Sequence, residues 1–179
     1  MINHGKKSVS YWDARKDSIY LFAARHICMK YGQKPKSVLD VGSNGTPTLE
    51  WHRESAERLV SLDLRNPYRA EGVESIKMNF FIYSVEQKFD LVTCFQVLEH
   101  VPDPHLFAQK LLSVSKILIV SVPYNWPKGS CKYHIHDPVT NLKMLEWFGK
   151  KLSFTYLARE LGKKERLIHV YNTETVNQE

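Results

Sequence analysis

Two stretches of this chain carry residue types whose spacing suits binding chemistry. The first is Asp40-Val-Gly-Ser-Asn-Gly-Thr46, which follows directly on a short apolar run. A glycine just after a buried strand lets the backbone turn tightly and approach a ligand with no Cβ in the way. A carboxylate just before it can hold a cationic or hydroxyl-rich ligand, directly or through water, and would repel a pyrophosphate. Gly42 and Gly45 do not have the spacing of the Gly-x-Gly-x-x-Gly turn, whose bare N–H groups take phosphate at a helix N-terminus. The segment therefore argues against a nicotinamide dinucleotide, and its competing reading is a plain strand-to-helix turn. Asp63 ends the next apolar run, where an acid can accept hydrogen bonds from two ribose hydroxyls. Leu64 beside it would form an apolar wall for an adenine ring.

The second stretch is the aromatic and polar loop at residues 123–138. On an extended backbone His134 and His136 would point the same way, with Asp137 adjacent. Three readings compete there. One is a general base or substrate contact, since histidine titrates near neutrality. Another is a divalent metal bound by His134, His136 and Asp137. The third is packing beneath the aromatics at the start of the next helix. The first is preferred, and no metal ion is assigned. Tyr124 and Trp126 are candidate walls of an acceptor pocket, or a shield against solvent. The pair Glu99-His100 offers His100 as a candidate base, against a bland role packing the turn before Asp103-Pro104. That dipeptide itself reads as an N-cap followed by proline at the first helical position. Tyr11 and Trp12 could close over a ligand as a lid.

The elements that must position these groups follow from periodicity. Helical spacing covers about residues 11–30, 48–57, 104–114 and 140–148, and apolar strands cover 37–41, 59–63, 75–78, 89–95 and 117–122. Two further strands are expected around 154–157 and 167–171. Strands alternating with helices predict a Rossmann-like, doubly wound α/β sheet of about seven strands, mostly parallel, with an N-terminal helix. The links after the second and third strands are too short for full crossover helices. In such a sheet ligands bind beyond the carboxyl ends of the strands, where both stretches fall.

The 179 residues suit a single domain. It divides into an N-terminal helix and lid at 1–34, a ligand-binding core at 35–123, and a substrate loop with C-terminal strands at 124–179. No apolar run has the roughly 20 residues of a membrane span, and residues 1–10 lack the apolar stretch of a secretory signal, so a cytoplasmic protein is expected. Three scattered cysteines exclude a disulfide framework, and Cys28 and Cys94 read as core residues. The net charge of +6 keeps nucleic acid open as a partner, but the basic residues form short pairs rather than a stripe.

Leu98-Glu-His-Val-Pro-Asp-Pro104, taken with Val38-Leu-Asp-Val-Gly42, closely resembles class I S-adenosylmethionine-dependent methyltransferases, in the branch labelled methyltransferase type 11. The resemblance covers about residues 37–123. It implies that Asp40, Gly42, Ser43 and Asn44 cradle the methionine part of S-adenosylmethionine. It implies further that Asp63 grips the ribose, that Asn79 and Phe80 contact adenine, and that Phe95 and Gln96 lie under the methionine and ribose. The chain departs from the family pattern with Asn44 and Thr46 at usual glycine positions and Asn79 where an aspartate often stands. An asparagine can still hydrogen-bond an adenine amine. The reaction so implied is in-line attack of an acceptor oxygen or nitrogen on the sulfonium methyl, with O-methylation of a small molecule or sugar preferred. RNA methylation and a non-catalytic S-adenosylmethionine-binding module are the alternatives.

Overall fold

Apolar runs at β1 (Ser37–Val41), β2 (Arg58–Asp63), β3 (Val73–Lys77), β4 (Phe89–Phe95) and β5 (Ser115–Tyr124) lie side by side as parallel strands. The computed structural model describes residues 12–160 and 164–174. A C-terminal hairpin of β6 (Phe154–Arg159) and β7 (Glu165–Asn172) completes the sheet, with β7 antiparallel to β5. The strand order is β3-β2-β1-β4-β5-β7-β6, so the order reverses between β1 and β4. That reversal opens the crevice in which open α/β sheets bind ligands.

Helices cover both faces, which is why the central strands are apolar on both sides. Val38, Leu59 and Leu91 pack beneath α1 (Ile19–Gly32), together with its Tyr20, Ala24, Ile27 and Cys28. Leu39, Val60, Val92 and Cys94 face the opposite layer, built by α2 (Pro104–Val114) and α3 (Asn141–Phe148). The helix starts are local in origin. Asp103 accepts from Leu106 N at 2.9 Å with Pro104 in the first turn, and Thr140 Oγ1 accepts from Lys143 N at 3.2 Å. Among the described residues no helix is long and apolar enough to cross a membrane.

The predicted helix over 48–57 is only a 3₁₀ turn, Thr48–His52. Thr48 is tied down to Asp40, and Glu57 N and Arg58 N both donate to Lys36 O, which draws the chain straight back to the sheet. The N-terminal helix begins at Ile19 rather than near residue 11, because residues 12–17 form a turn and Ser18 caps the helix by accepting from Leu21 N. The expected lid residue Tyr11 lies outside the described residues. The C-terminal strands run longer than expected, with eight register pairs between β5 and β7.

Two histidines are buried in this core without full partners. Among the described residues neither His52 Nε2 nor His169 Nε2 has a hydrogen-bond partner, while His169 Nδ1 lies 3.2 Å from the Tyr171 hydroxyl. Burial depresses both to about 4, whereas an unfolded histidine titrates near 6.5. Stability from the neutral rings is therefore complete above pH 6.5 and lost as pH falls toward 4. Urea unfolding at pH 5 should show a loss of about 2 kcal/mol per histidine relative to pH 7.5. His169→Leu should flatten that slope by about half, and an unchanged slope would rule out the assignment.

Candidate active site

The loop after β1 is shaped by its glycines. Gly42 has φ of +79° and Gly45 of +73°, with Asn44 between them at +46°. A Cβ on Gly42 would lie 2.4 Å from Val97 Cγ2, so the loop passes flush against the end of β4. Asp40 sits under this loop, almost fully buried. Its Oδ2 accepts from Thr48 Oγ1 at 2.6 Å and its Oδ1 from Thr93 Oγ1 at 2.7 Å. Burial raises Asp40 to about 6, against the pull of the two threonines and with the nearby Asp63 adding to the rise. A buried carboxylate held by neutral donors is suited to stabilise a positive charge in the cleft above it. That cleft is lined by Asp40, Gly42, Ser43, Thr46 and Thr48 from β1 and its loop, by Phe95 from β4, and by Tyr20 and Leu21 from α1.

The expected ribose acid, Asp63, does stand at the end of β2. Its Oδ2 accepts from Asn44 N at 2.9 Å, and its Oδ1 accepts from Arg65 N and Asn66 N at 2.7 and 2.8 Å. Asp63 thus ties the β1 and β2 loops together, with the remaining lone pairs available to hydroxyl donors. Ser43 faces inward, accepting from Ser61 Oγ and Tyr68 N. Leu64 is exposed beside Asp63. Asn79 is exposed and caps the 3₁₀ turn Phe80–Ile82 by accepting from Phe81 N at 3.0 Å. Phe80 turns away into the core, with its ring 5.0 Å from that of Phe107.

Phe95 lies in the cleft against Trp51. Gln96 adopts φ of +58° and reaches across to β5 and β7 instead. Its Nε2 donates to Ser121 Oγ at 3.1 Å, and its Oε1 accepts from Arg166 Nε at 3.3 Å. Arg166 is itself buried, its guanidinium 4.9 Å from the Tyr20 ring centre and 5.5 Å from that of Trp126. Tyr20 and Arg166 escaped the sequence reading because both look like ordinary positions of a helix and a strand. An arginine amid the apolar run of β7 was the available signal.

Beyond β5, the loop at 124–137 folds over the same sheet edge. It is not extended, and its two histidines diverge. His136 Nε2 contacts Val101 O at 2.8 Å and its ring packs on Trp147. His134 instead stacks on Trp126, and its Nδ1 lies 2.8 Å from Asp137 Oδ2. Trp126 is pinned by donating from Nε1 to Glu165 O, while Tyr124 packs at the margin of the core. His100 comes from the other side, its ring centre 4.8 Å from that of His134 and its Nδ1 2.9 Å from Tyr133 O. Glu99 is wholly buried next to them, and burial together with the charge of Asp137 pushes it up to about 8.

Comparisons with known proteins place this geometry. Relatives include the ubiquinone biosynthesis O-methyltransferase of Bordetella avium (strain 197N), 28% identical over 113 residues covering 53% of this chain and 47% of the relative. The protein of that name from Xanthomonas oryzae pv. oryzae (strain PXO99A) is 35% identical over 79 residues, covering 37% of this chain and 33% of the relative. The chain spans about half the length, or less, of these curated relatives. The fold matches N-methyltransferase NodS from Bradyrhizobium japonicum WM9, solved with S-adenosyl-L-homocysteine, at a TM-score of 0.70 and 11% identity over 95% of this chain and 94% of that one. A 1,6-didemethyltoxoflavin-N1-methyltransferase from Burkholderia thailandensis matches at 0.68 and 15% identity, over 88% and 80% of the two chains. Residues 13–175 match the family described as methyltransferase domain. With that match over nearly its whole length, the chain belongs to the methyltransferase domain family, the class I S-adenosylmethionine-dependent methyltransferases that its strand-end motifs resemble.

Proposed function

We propose that this chain transfers the methyl group of S-adenosylmethionine to a hydroxyl oxygen of a small-molecule or sugar acceptor, held beneath the loop at 124–137. The observation that carries this reading is the meeting of Trp126, His134, Asp137 and His100 at the same sheet edge as the Asp40 cleft. S-adenosylmethionine supplies an already activated methyl on a sulfonium. The protein's task is then chiefly alignment, which can account for several kcal/mol of the barrier.

The residues divide that task. In this reading the β1 loop and Asp63 hold the cofactor, and Asp40 faces its positively charged end from below. Trp126, fixed by its bond to Glu165 O and by the Arg166 guanidinium, offers a rigid wall for an acceptor ring. The histidine group supplies polarity for a hydroxyl whose proton must leave. The name O-methyltransferase on the curated relatives favours oxygen as the acceptor atom. The +6 charge is dispersed along the chain, which favours a small acceptor over nucleic acid.

The test is methyl transfer from radiolabelled S-adenosylmethionine to panels of catechols, phenols, sugars and tRNA. Label on a hydroxyl of the first three groups is the expected result. Label confined to tRNA, with turnover falling steeply as salt rises, would replace this reading with RNA methylation. Tight cofactor binding with no labelled product from any panel would leave only a binding module.

A further inference from the structure

The reading of Glu99-His100 as a packing turn and of His134 as a base leaves one observation unexplained. Glu99 is 0% exposed, and among the described residues neither of its carboxylate oxygens has a hydrogen-bond partner, His100 Nε2 lying 3.8 Å from Oε1. Asp137 Oδ1, close by, is buried and unpartnered as well. Buried polar atoms are nearly always satisfied, and an unpaired buried carboxylate costs far more than a neutral group. Asp137 already gives its other oxygen to His134, so Glu99 is the acid left unsatisfied, and a cation beside it would satisfy it in its ionised form. We infer that Glu99, His100 and His134 bind a divalent transition-metal ion at the edge of the acceptor pocket.

Four features support it. First, the three residues each offer a ligand atom, and these atoms all lie within 4.8 Å of one another. Ligands around a tetrahedral metal at about 2.1 Å lie about 3.4 Å apart, so loading needs a closure of up to about 1.4 Å. Second, both histidines are held from Nδ1. His134 Nδ1 faces a carboxylate of Asp137, and His100 Nδ1 faces the Tyr133 carbonyl. Both partners are acceptors, so each Nδ1 carries the proton and each Nε2 keeps its lone pair. Metal-ligating histidines are held in this way by carboxylates and carbonyls.

Third, the segments bearing the ligands are joined. Ile135 N donates to Glu99 O at 2.9 Å, which fastens the His134 loop to the turn carrying Glu99 and His100. Fourth, His100 remains 38% exposed at its side chain, so an ion has a way in. Two imidazoles and one carboxylate suit zinc, cobalt or manganese rather than calcium or magnesium, which prefer all-oxygen shells. Three protein ligands leave a coordination position free, the mark of a catalytic rather than a structural site. That position would take an acceptor oxygen; this role rests on the proposed O-methylation, whereas metal binding itself does not.

The experiment uses the full chain, stripped with a chelator and dialysed, with no cofactor or acceptor added. Zinc titrated calorimetrically should bind at one equivalent, and cobalt(II) should develop the visible absorption of a low-coordinate site. Glu99→Gln, His100→Gln and His134→Gln should each weaken zinc binding at least tenfold. Asp137→Asn should weaken it roughly 10–100-fold through the ring it orients. His105→Gln, a surface change, should leave the affinity as it was. A zinc-dependent rise in Tm should appear in the wild type and vanish in Glu99→Gln. Absence of saturable binding, or equal binding by Glu99→Gln and His100→Gln, would overturn the metal site. If binding fails while labelled hydroxyl products still form, the metal inference falls and the O-methylation stands. If binding succeeds but label appears only on tRNA, the reverse holds.

Discussion

Asp40→Ala is expected to abolish measurable S-adenosylmethionine binding and to destabilise the protein by about 2–4 kcal/mol. The stability loss arises because Thr48 and Thr93, both buried, would lose their shared acceptor. Each orphaned hydroxyl costs about 1–3 kcal/mol, partly offset by removing a carboxylate that is expensive to bury. Asp40→Asn separates the two roles. The amide fills the same space and can still pair with the threonine hydroxyls, so folding should be close to wild type while cofactor affinity falls at least tenfold.

The pH dependence gives a second readout of the same residue. Asp40 sits at about 6 in the free protein, raised chiefly by burial. A positively charged ligand favours the ionised form, so affinity should rise as pH increases from 5 to 7 and then level off. Folding has the opposite sign. An acid whose folded pKa lies above its unfolded value contributes stability at low pH, which is lost as pH rises through about 6. In Asp40→Asn the affinity should be flat across this range when measured by calorimetry. A slope identical to that of the wild type would show that another group controls binding.

Gly42→Ala should be nearly as damaging, for a reason confined to the backbone. The added Cβ would lie 2.4 Å from Val97 Cγ2, at a residue whose φ of +79° a side chain rarely adopts. The left-handed conformation alone costs roughly 1–2 kcal/mol, and relieving the contact must move either the loop or the end of β4. We expect a destabilisation of about 3 kcal/mol and at least a hundredfold weaker cofactor binding. The double variant Gly42→Ala with Val97→Ala should recover the steric part and leave the conformational part. A double-mutant cycle by urea unfolding should therefore give a favourable coupling of about 1–2 kcal/mol. Strict additivity would mean that the loop relaxes away from Val97 without cost. Gly45→Ala offers a contrast, since its Cβ would meet the movable end of Asn66 at 2.7 Å. Its loss should be smaller.

What could be read along the chain was what local physics decides. Apolar runs located the strands of the parallel sheet, and Asp103-Pro104 and Thr140 marked helix starts whose caps are made within three residues. The acid-first glycine turn at Asp40 placed the cleft, because a strand end and a tight turn are properties of neighbouring residues. The helix expected over 48–57 failed through longer-range contacts: the Thr48 hydroxyl is taken by Asp40, and Glu57 and Arg58 are drawn to Lys36. The side-chain fates at the site were likewise settled only by tertiary structure. Phe80 was expected at the adenine and lies on Phe107; Gln96 was expected beneath the cofactor and bridges Ser121 to Arg166. His134 and His136 part company because their loop coils and Val101 captures one of them. Above all, Glu99 is an ordinary glutamate in the sequence, and only the fold buries it with both oxygens lacking a hydrogen-bond partner among the described residues. Whether a polar group is satisfied depends on atoms contributed by distant residues, and no periodicity along the chain encodes that.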